Sequence, residues 1–309
     1  MKHIFVVNPK AGGRDNSKDI ETQLQGIEAD TEIYVTRGPR DATAYVADRC
    51  RIGEGPLRFY ACGGDGTMNE VVSGLLAAGR TNAAAGIYPC GSGNDYIKCW
   101  PETDFHNLGA LVAAPTQAVD ALRLDSPEGT RYCLNVMNFG FEAEVCRTMN
   151  AVRRWPLLGG RMAYVTGIFH CLLHAMHNPC HIAVDGEDWR GGDLLLASAA
   201  NGRYVGGGYK CAPRAVVDDG LMEVLCVDSL NLLQFAKIIG FYKKGEHLDH
   251  PELEHLIHYR RGRRAVFHSD REFSIVVDGE LIRGRHFDVS CLPQAVNFIV
   301  PQKSATPNT

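Results

Sequence analysis

Several things are missing from this chain of 309 residues. It has no CxxC pair among its 11 cysteines, an odd number at irregular spacing. That excludes a disulfide frame and a zinc ribbon, and predicts free thiols in a reducing cytosol. No apolar run approaches the roughly 18 residues of a membrane span. The most apolar region, 157–176, is interrupted by Gly159, Gly160, Arg161, Gly167, His170 and His174. Any membrane contact is therefore expected to be peripheral. The apolar run 4–7 ends at Asn8-Pro9, too short for a signal-peptide core, so no export is expected. Excess charge is lacking too: Lys+Arg 32 against Asp+Glu 36 leaves −4, which supplies no global field for nucleic acid. There is no internal repeat, and only the tail 302–309 reads as disordered. What is present, 45% hydrophobic and 22% charged residues with 33 glycines, describes a globular protein with a filled core and many tight turns. Disorder, collagen and coiled coil are excluded, and the length favours two domains.

Through about residue 120, short apolar runs alternate with helical patterns. Strands are predicted at 3–7, 32–35, 57–61 and 84–88, and helices near 16–27, 41–51 and 68–78. That alternation implies a parallel sheet with right-handed crossovers, whose ligands sit beyond the carboxyl ends of the strands. The glycines fall there: Gly12-Gly13 after the first strand, Gly63-Gly64-Asp65-Gly66 after the third, Gly91-Ser92-Gly93 after the fourth. Beyond residue 120 the segments become shorter and β-rich, at 121–124, 132–138, 180–184, 193–199, 221–227, 265–268, 273–277 and 287–291. Helical stretches at 161–176 and 230–244 interrupt them. An antiparallel sheet or sandwich is the natural reading.

The loop after the third strand carries one carboxylate into a helix start. Glycines let the backbone approach a phosphate, the helix N-terminus offers free N–H groups, and Asp65 can hold Mg²⁺. A plain turn with Thr67 and Glu70 as a capping box fits the same residues. Two more glycine turns at equivalent strand ends favour a polyphosphate site. In the first, Lys10 or a backbone N–H can reach a phosphate; in the third, Ser92, Asn94 and Asp95 bring a hydroxyl, an amide and a carboxylate. None of these is a GxxxxGK[ST] P-loop or a GxGxxG dinucleotide turn.

NPKAGG at 8–13, GGDGTMNEVVSGL at 63–75, PCGSGND at 89–95, NGRYVGGGYKCAP at 201–213, DDGLMEV at 218–224 and VDGE at 277–280 occur in that order. Together they resemble the diacylglycerol kinase catalytic-domain family, which includes bacterial lipid kinases and sphingosine and ceramide kinases. GGDGT alone is shared with phosphofructokinases and NAD kinases. The resemblance implies an α/β plus all-β protein. Its N-terminal α/β nucleotide domain, phosphofructokinase/NAD-kinase-like, would span 1–122 with a return of the chain at about 293–309, its β-sandwich 123–292, with the active site in a cleft between them. It implies ATP binding by Asn8, Pro9, Lys10, Gly12, Thr36, Gly64, Asp65, Gly66, Thr67, Asn69, Glu70 and Ser92, and catalytic Mg²⁺ near Asp65, Asp95 and Asp120. Asp278 and Glu280 become the candidates for general base on the lipid hydroxyl, and Asp219 with the carbonyls of Val216 and Leu221 the holder of a second, structural Mg²⁺. Val277-Asp278-Gly279-Glu280 also reads as a type I′ hairpin, and so does Val184-Asp185-Gly186-Glu187, where the hairpin alone is the better reading. The sequence departs from the family in Ser92, where threonine is usual, and in Ala11, where serine is frequent.

His170, His174 and His177 form one helical stripe, with His181 beyond; an exposed face reads better than a zinc site, since no carboxylate or CxxC completes it. Arg260, Arg261, Arg263 and Arg264, with Arg153 and Arg154, fit either anionic headgroups or a solvated loop. Trp155-Pro156-Leu157-Leu158 fits either an interfacial contact or core. The reading is a cytoplasmic, peripherally membrane-associated ATP- and Mg²⁺-dependent lipid kinase for a hydroxyl such as that of diacylglycerol. It has no nucleic-acid partner and no transmembrane segment, and homodimerisation stays open. The alternatives are a kinase for a soluble acceptor such as NAD and a non-catalytic nucleotide or lipid sensor.

Overall fold

The structure is a computed structural model that describes residues 1–152, 171 and 176–302. The chain divides into two compact units, Met1–Ala121 with Pro293–Thr309, and Leu122–Leu292.

In the first unit, β1 (Lys2–Val7), β2 (Asp30–Val35), β3 (Leu57–Gly63) and β4 (Ala83–Pro89) form a parallel sheet in the order β4-β3-β1-β2. The far end of β13 (Glu280–Ile299) extends it in parallel beside β4, Asn297 opposite Ala84. Central strands covered on both faces must be apolar throughout, and Ile4, Phe5, Val6 and Val7 are fully buried. The crossovers are α1 (Ser17–Leu24), α2 (Asp41–Ile52) and α3 (Asp65–Ala78). A short α4 (Leu108–Ala113), capped by the Asn107 side chain on the Ala110 N–H, precedes β5 (Thr116–Ser126).

The second unit is antiparallel. The path β11-β10-β9-β7-β12-β13 joins β11 (Ile257–Gly262), β10 (Met222–Asp228), β9 (Glu187–Ala200), β7 (Val136–Gly140), β12 (Arg264–Val277) and β13. Strand β8 (Asn178–Val184) pairs with β9 and β12, and β6 (Gly129–Cys133) with β5. Period-two alternation sends successive residues to opposite faces. Met222, Val224 and Cys226 of β10 join one apolar cluster with Phe139, Ile182, Phe267 and Phe287. Leu225 and Val227 join the other, with Phe141 and Val145 of α5 (Phe141–Val152) and Ile238 and Tyr242 of α6 (Leu232–Lys244). One face is closed by strands, giving the expected sandwich, and the other by helices.

Some sequence expectations are revised. The run 132–138 is two strands, broken at Leu134-Asn135, where the Asn135 carbonyl accepts the N–H groups of Asn201 and Gly202. The runs 265–268 and 273–277 are one strand with a register shift between His268 and Phe273. Arg260 and Arg261 lie on β11 and Arg264 opens β12, with exposed Arg263 in the bend between them, so a loop describes only Arg263. Arg260 pairs with Glu187, Arg261 with Asp219 and Glu223, and Arg264 with Asp288. The expected helix 161–176 lies almost wholly outside the described residues, as do Arg153, Arg154, 155–158, His170 and His174. His177 is within them and is engaged by Asp193 and Ser229. No helix among the described residues is long and apolar enough to cross a membrane.

Candidate active site

The three glycine loops meet at the carboxyl ends of β1, β3 and β4. Cys90 and Gly91 both donate their N–H to the Gly63 carbonyl, at 3.0 Å each, and Asp65 donates its N–H to the Gly93 carbonyl at 2.9 Å. The glycines are required by this proximity. A Cβ on Gly91 would stand 2.5 Å from the Gly64 backbone, and one on Gly64 would stand 2.6 Å from the Gly93 carbonyl oxygen. Gly12 adopts φ +65°, and a Cβ there would lie 2.4 Å from the Cys90 oxygen. The first loop thus rests against the third, held at its base by the Asn8 N–H on the Cys62 carbonyl and the Asn8 amide on Thr67 Oγ1.

Asp65 is the first residue of α3, behind an extended Gly64 N-cap. Its carboxylate accepts the backbone N–H of Asp95 (2.8 Å to Oδ2) and of Tyr96 (3.2 Å). Burial, with the Asp95 charge beside it, pushes the Asp65 carboxyl above its usual range despite these donors. Asp95 is itself only 5% exposed and pairs with Lys98. Two adjacent carboxylates share the single Lys98 ammonium, and the one it does not pair with, Asp65, is pushed upward by burial and by its neighbour, which leaves an oxygen donor set with more negative than positive charge. They fit a hard divalent cation. Asn94 adds an amide whose Nδ2 donates to the Gly91 carbonyl while its buried Oδ1 has no partner among the described residues. The sequence offers this residue as the amide of the third loop without naming it as a ligand; its position between the last glycine and the carboxylate is the sharper signal.

The other expected nucleotide residues are placed as follows. Lys10 and Gly12 are exposed on the first loop, Ser92 on the third and Gly66 at the start of α3, while Thr36 follows β2 with its N–H on the Val7 carbonyl. Pro9 and Asn69 are half-buried. The capping box does not form, because α3 begins at Asp65, upstream of Thr67. Thr67 is buried and receives Asn8, and Glu70 Oε2 accepts the Ala42 N–H at the start of α2. Asp120 is fully buried and accepts the Gln294 N–H at 2.7 Å. Among the described residues, no three His, Cys, Asp or Glu side chains form a group that could hold a metal; Asp65 and Asp95 are an adjacent pair.

In the second unit, Asp278 (φ +45°) and Gly279 (φ +91°) form a two-residue hairpin closing Val277 onto Glu280. Both φ values are positive, as a type I′ turn requires. Asp278 is half-buried, Glu280 exposed, and the Gly279 carbonyl faces Cys146 of α5. The twin hairpin at Asp185-Gly186 serves the fold, since Asp185 Oδ1 accepts the N–H groups of Arg263 and Arg264. At the third carboxylate turn, Asp219 Oδ1 accepts the Leu221 N–H and Oδ2 pairs with Arg261, whose Nε also meets buried Glu223 at 3.0 Å. Val216 is exposed nearby in sequence. A guanidinium already supplies the positive charge there, so these residues do not fit a structural Mg²⁺.

One further carboxylate stands out. Glu142, at the start of α5 against the helix-covered apolar cluster, accepts the Tyr242 hydroxyl at 2.9 Å, and its buried Oε2 has no partner among the described residues. Burial pushes it up to about 7. The His247 ring lies tilted against Tyr242, with ring centroids 4.9 Å apart, and is pulled down to about 4 by burial, so it is neutral.

Two family models match the chain: the diacylglycerol kinase catalytic domain over residues 2–124, and the YegS C-terminal NAD kinase beta sandwich-like domain over 135–300. A protein of Xanthomonas oryzae pv. oryzae named "Probable lipid kinase YegS-like" is 30% identical over 305 residues, covering 96% of this chain and 95% of its own length. One of the same name from Stenotrophomonas maltophilia is 30% identical over 309 residues, with the same coverage. Among solved structures, a diacylglycerol kinase from Bacillus anthracis superposes with TM-score 0.68 at 20% identity, over 97% of this chain and 96% of that one. An NAD kinase from Archaeoglobus fulgidus, solved with ATP, superposes with TM-score 0.50 at 12% identity, over 98% and 94%.

Proposed function

Because this chain belongs to the diacylglycerol kinase catalytic-domain family, in its YegS-like branch, we propose that it is a lipid kinase that transfers the γ-phosphoryl group of ATP, with Mg²⁺, to a lipid hydroxyl such as that of diacylglycerol. The observation that carries this reading is the closure of three glycine loops, backbone against backbone, around half-buried Asp65 and buried Asp95.

Phosphoryl transfer asks little covalent chemistry of a protein; positioning and charge stabilisation do most of it. The open N–H groups of the glycine loops, with Lys10 beside them, orient the phosphates, and the Thr67 and Ser92 hydroxyls border the same loops. Asp65 and Asp95 hold Mg²⁺, and buried Asp120 keeps the β13 return in place through Gln294. When bound, the cation neutralises charge on the transferring phosphoryl. Asp278 or Glu280 accepts the proton of the lipid hydroxyl. The acyl chains lie against the apolar cluster of α5 and α6, where the free Oε2 of Glu142 accepts a hydrogen bond from the polar end of the acceptor. The enzyme works at the cytoplasmic face of a membrane by peripheral contact.

A soluble acceptor such as NAD is the second reading, favoured by the superposition on an NAD kinase and weakened by the YegS-type match over 135–300. Labelled γ-phosphate transfer to a lipid panel in mixed micelles, with NAD as soluble acceptor, separates the two. Label on lipid that disappears in Asp65→Asn supports the proposal, and label on NAD alone replaces it. ATP binding without transfer to any acceptor would return the sensor reading.

A further inference from the structure

Helix α6 is amphipathic in an unusual sense. At 100° per residue, Leu232, Lys243, Ala236, Gly240, Leu233, Lys244 and Lys237 fall within one arc of about 140°, and all seven are exposed. Phe235, Ile238, Phe241 and Tyr242 fall on the opposite side, against the apolar cluster that contains them. The outer face therefore carries two leucines, two small residues and three lysines. The helix has no acidic residue anywhere along it.

The leucines are the informative part. Leu233 is 84% and Leu232 53% exposed, the one pair adjacent in sequence among the exposed large hydrophobic side chains of the described residues; Met1, Val35, Ile52 and Val216 each stand alone. Singly scattered exposed apolar residues are ordinary, and two in succession on one helical turn are not covered by that rule. These two are held rigidly. They occupy the first turn behind a complete capping box, with the Asn231 side chain on the Gln234 N–H and the Gln234 side chain on the Asn231 N–H. The lysines have partial duties in the fold. Lys243 and Lys244 sit in the last turn, where the helix dipole favours cations; Lys243 lies over the Tyr209 ring, and Lys244 is 3.9 Å from Glu246. Glu252 is near enough to feel the Lys237 charge. None of this accounts for the leucines.

We infer that the outer face of α6 is a docking surface for an anionic lipid bilayer, the helix lying in the plane of the headgroups with Leu232 and Leu233 buried among them and Lys237 and Lys244 against lipid phosphates. The occupant follows from charge and polarity: a helix face of apolar side chains and three lysines, with no acidic residue on the helix and Glu246 and Glu252 at its margin, matches the acyl–headgroup boundary of an acidic membrane. At 13 residues the helix is about 20 Å long, so the leucines and the last lysines can rest on one flat surface together. The inference rests on the lipid-kinase reading for its purpose. The inner face of the same helix lines the cluster proposed to receive the acyl chains, and docking here brings that cluster to the bilayer that supplies them.

The test is flotation with vesicles of phosphatidylcholine, with and without phosphatidylglycerol, paired with turnover on a short-chain, water-soluble diacylglycerol. Binding is expected only with phosphatidylglycerol and to weaken with salt. Leu232→Gln with Leu233→Gln should lower it about tenfold or more, and Lys237→Glu with Lys244→Glu by at least about tenfold. Both double variants should keep soluble-acceptor turnover and wild-type circular dichroism, since every altered side chain is exposed. Unchanged vesicle binding in both variants would overturn the assignment, as would loss of a dimer on sedimentation in the leucine variant, which would make the face a contact between copies. Absence of wild-type vesicle binding while soluble acceptor is turned over would sink the surface and leave the kinase standing. Leucine-dependent binding without turnover of any acceptor would keep the surface and remove the kinase reading.

Discussion

Replacing Gly91 by alanine tests the glycine-loop architecture most sharply, because the same loop contains its own control. The new Cβ would lie 2.5 Å from both Gly64 N and Cα and 3.0 Å from the Gly63 carbonyl carbon. All three are backbone atoms that cannot swing aside. Relief to ordinary contact needs a shift approaching about 1 Å between the β3 and β4 loops, and overpacking of this kind costs about 1–3 kcal/mol. In a unit of this size that lowers Tm by roughly 2–10 °C. The shift also strains the bonds from Cys90 and Gly91 to the Gly63 carbonyl, and so misdirects the N–H groups offered to the phosphates. Losing one hydrogen bond to a charged group is worth about 1.5–3 kcal/mol, so ATP affinity should fall roughly tenfold to a hundredfold. At Gly93, by contrast, an added Cβ meets only Asp65 Oδ2, at an ordinary 3.5 Å. Gly93→Ala should stay within about 0.5 kcal/mol in stability and bind ATP nearly as wild type does. Calorimetric ATP titration and thermal melting of both variants decide the matter. Equal behaviour of the two, whether both mild or both severe, would refute the claim that backbone proximity dictates these glycines.

Asp65→Asn should reduce turnover by at least about a hundredfold while far-UV circular dichroism stays unchanged; near-wild-type turnover would remove Asp65 from the metal site. Glu142 yields a pH prediction. Its carboxyl is raised from 4.5 to about 7, so the folded state binds the proton more tightly than the unfolded one; the resulting stability is present below about pH 4.5 and is lost as pH rises through 7. The amplitude is at most about 3 kcal/mol, and Glu142→Gln should flatten that part of the profile in chemical denaturation. Arg261→Met leaves buried Glu223 and Asp219 without their cation and should destabilise by about 1–3 kcal/mol, while EDTA leaves wild-type Tm unchanged. A Tm that stays EDTA-sensitive in Asp65→Asn would restore a metal to the Asp219 turn. Between Asp278→Asn and Glu280→Gln, the general base is the one whose loss lowers kcat with KM for ATP preserved.

The parallel half of the fold was legible because its central strands β1, β3 and β4 are buried on both faces and so read as largely apolar runs, as at Ile4–Val7 of β1, followed by glycines. The hairpins at Asp185-Gly186 and Asp278-Gly279 were legible for an equally local reason, since positive φ at two successive positions selects those residues. Features that depend on partners distant in sequence were not. The start of α3 at Asp65 in place of Thr67 follows from Gly93, Asp95 and Tyr96, which close over Asp65 from another strand end. Strand β11 reads as a basic loop until its carboxylates arrive: Glu187, Asp219 and Glu223 lie 38 to 73 positions away. Glu142 looks like any acid in the first turn of a helix; only the packing of Tyr242 and the apolar cluster shows that one of its oxygens is buried and has no partner among the described residues. Carboxylates beside glycines could be found locally, and the closing of the Asp95 and Tyr96 N–H groups onto the Asp65 carboxylate could not.

The central claim is that the glycine loops and Asp65 deliver the γ-phosphoryl group of ATP to a lipid hydroxyl. Its most direct test is the transfer of labelled phosphate from ATP and Mg²⁺ to diacylglycerol and related lipids in mixed micelles, by the wild type and by Asp65→Asn side by side. A phosphorylated lipid formed by the wild type and absent with Asp65→Asn is the predicted result; label on NAD alone, or lipid phosphorylation that survives the substitution, would contradict it.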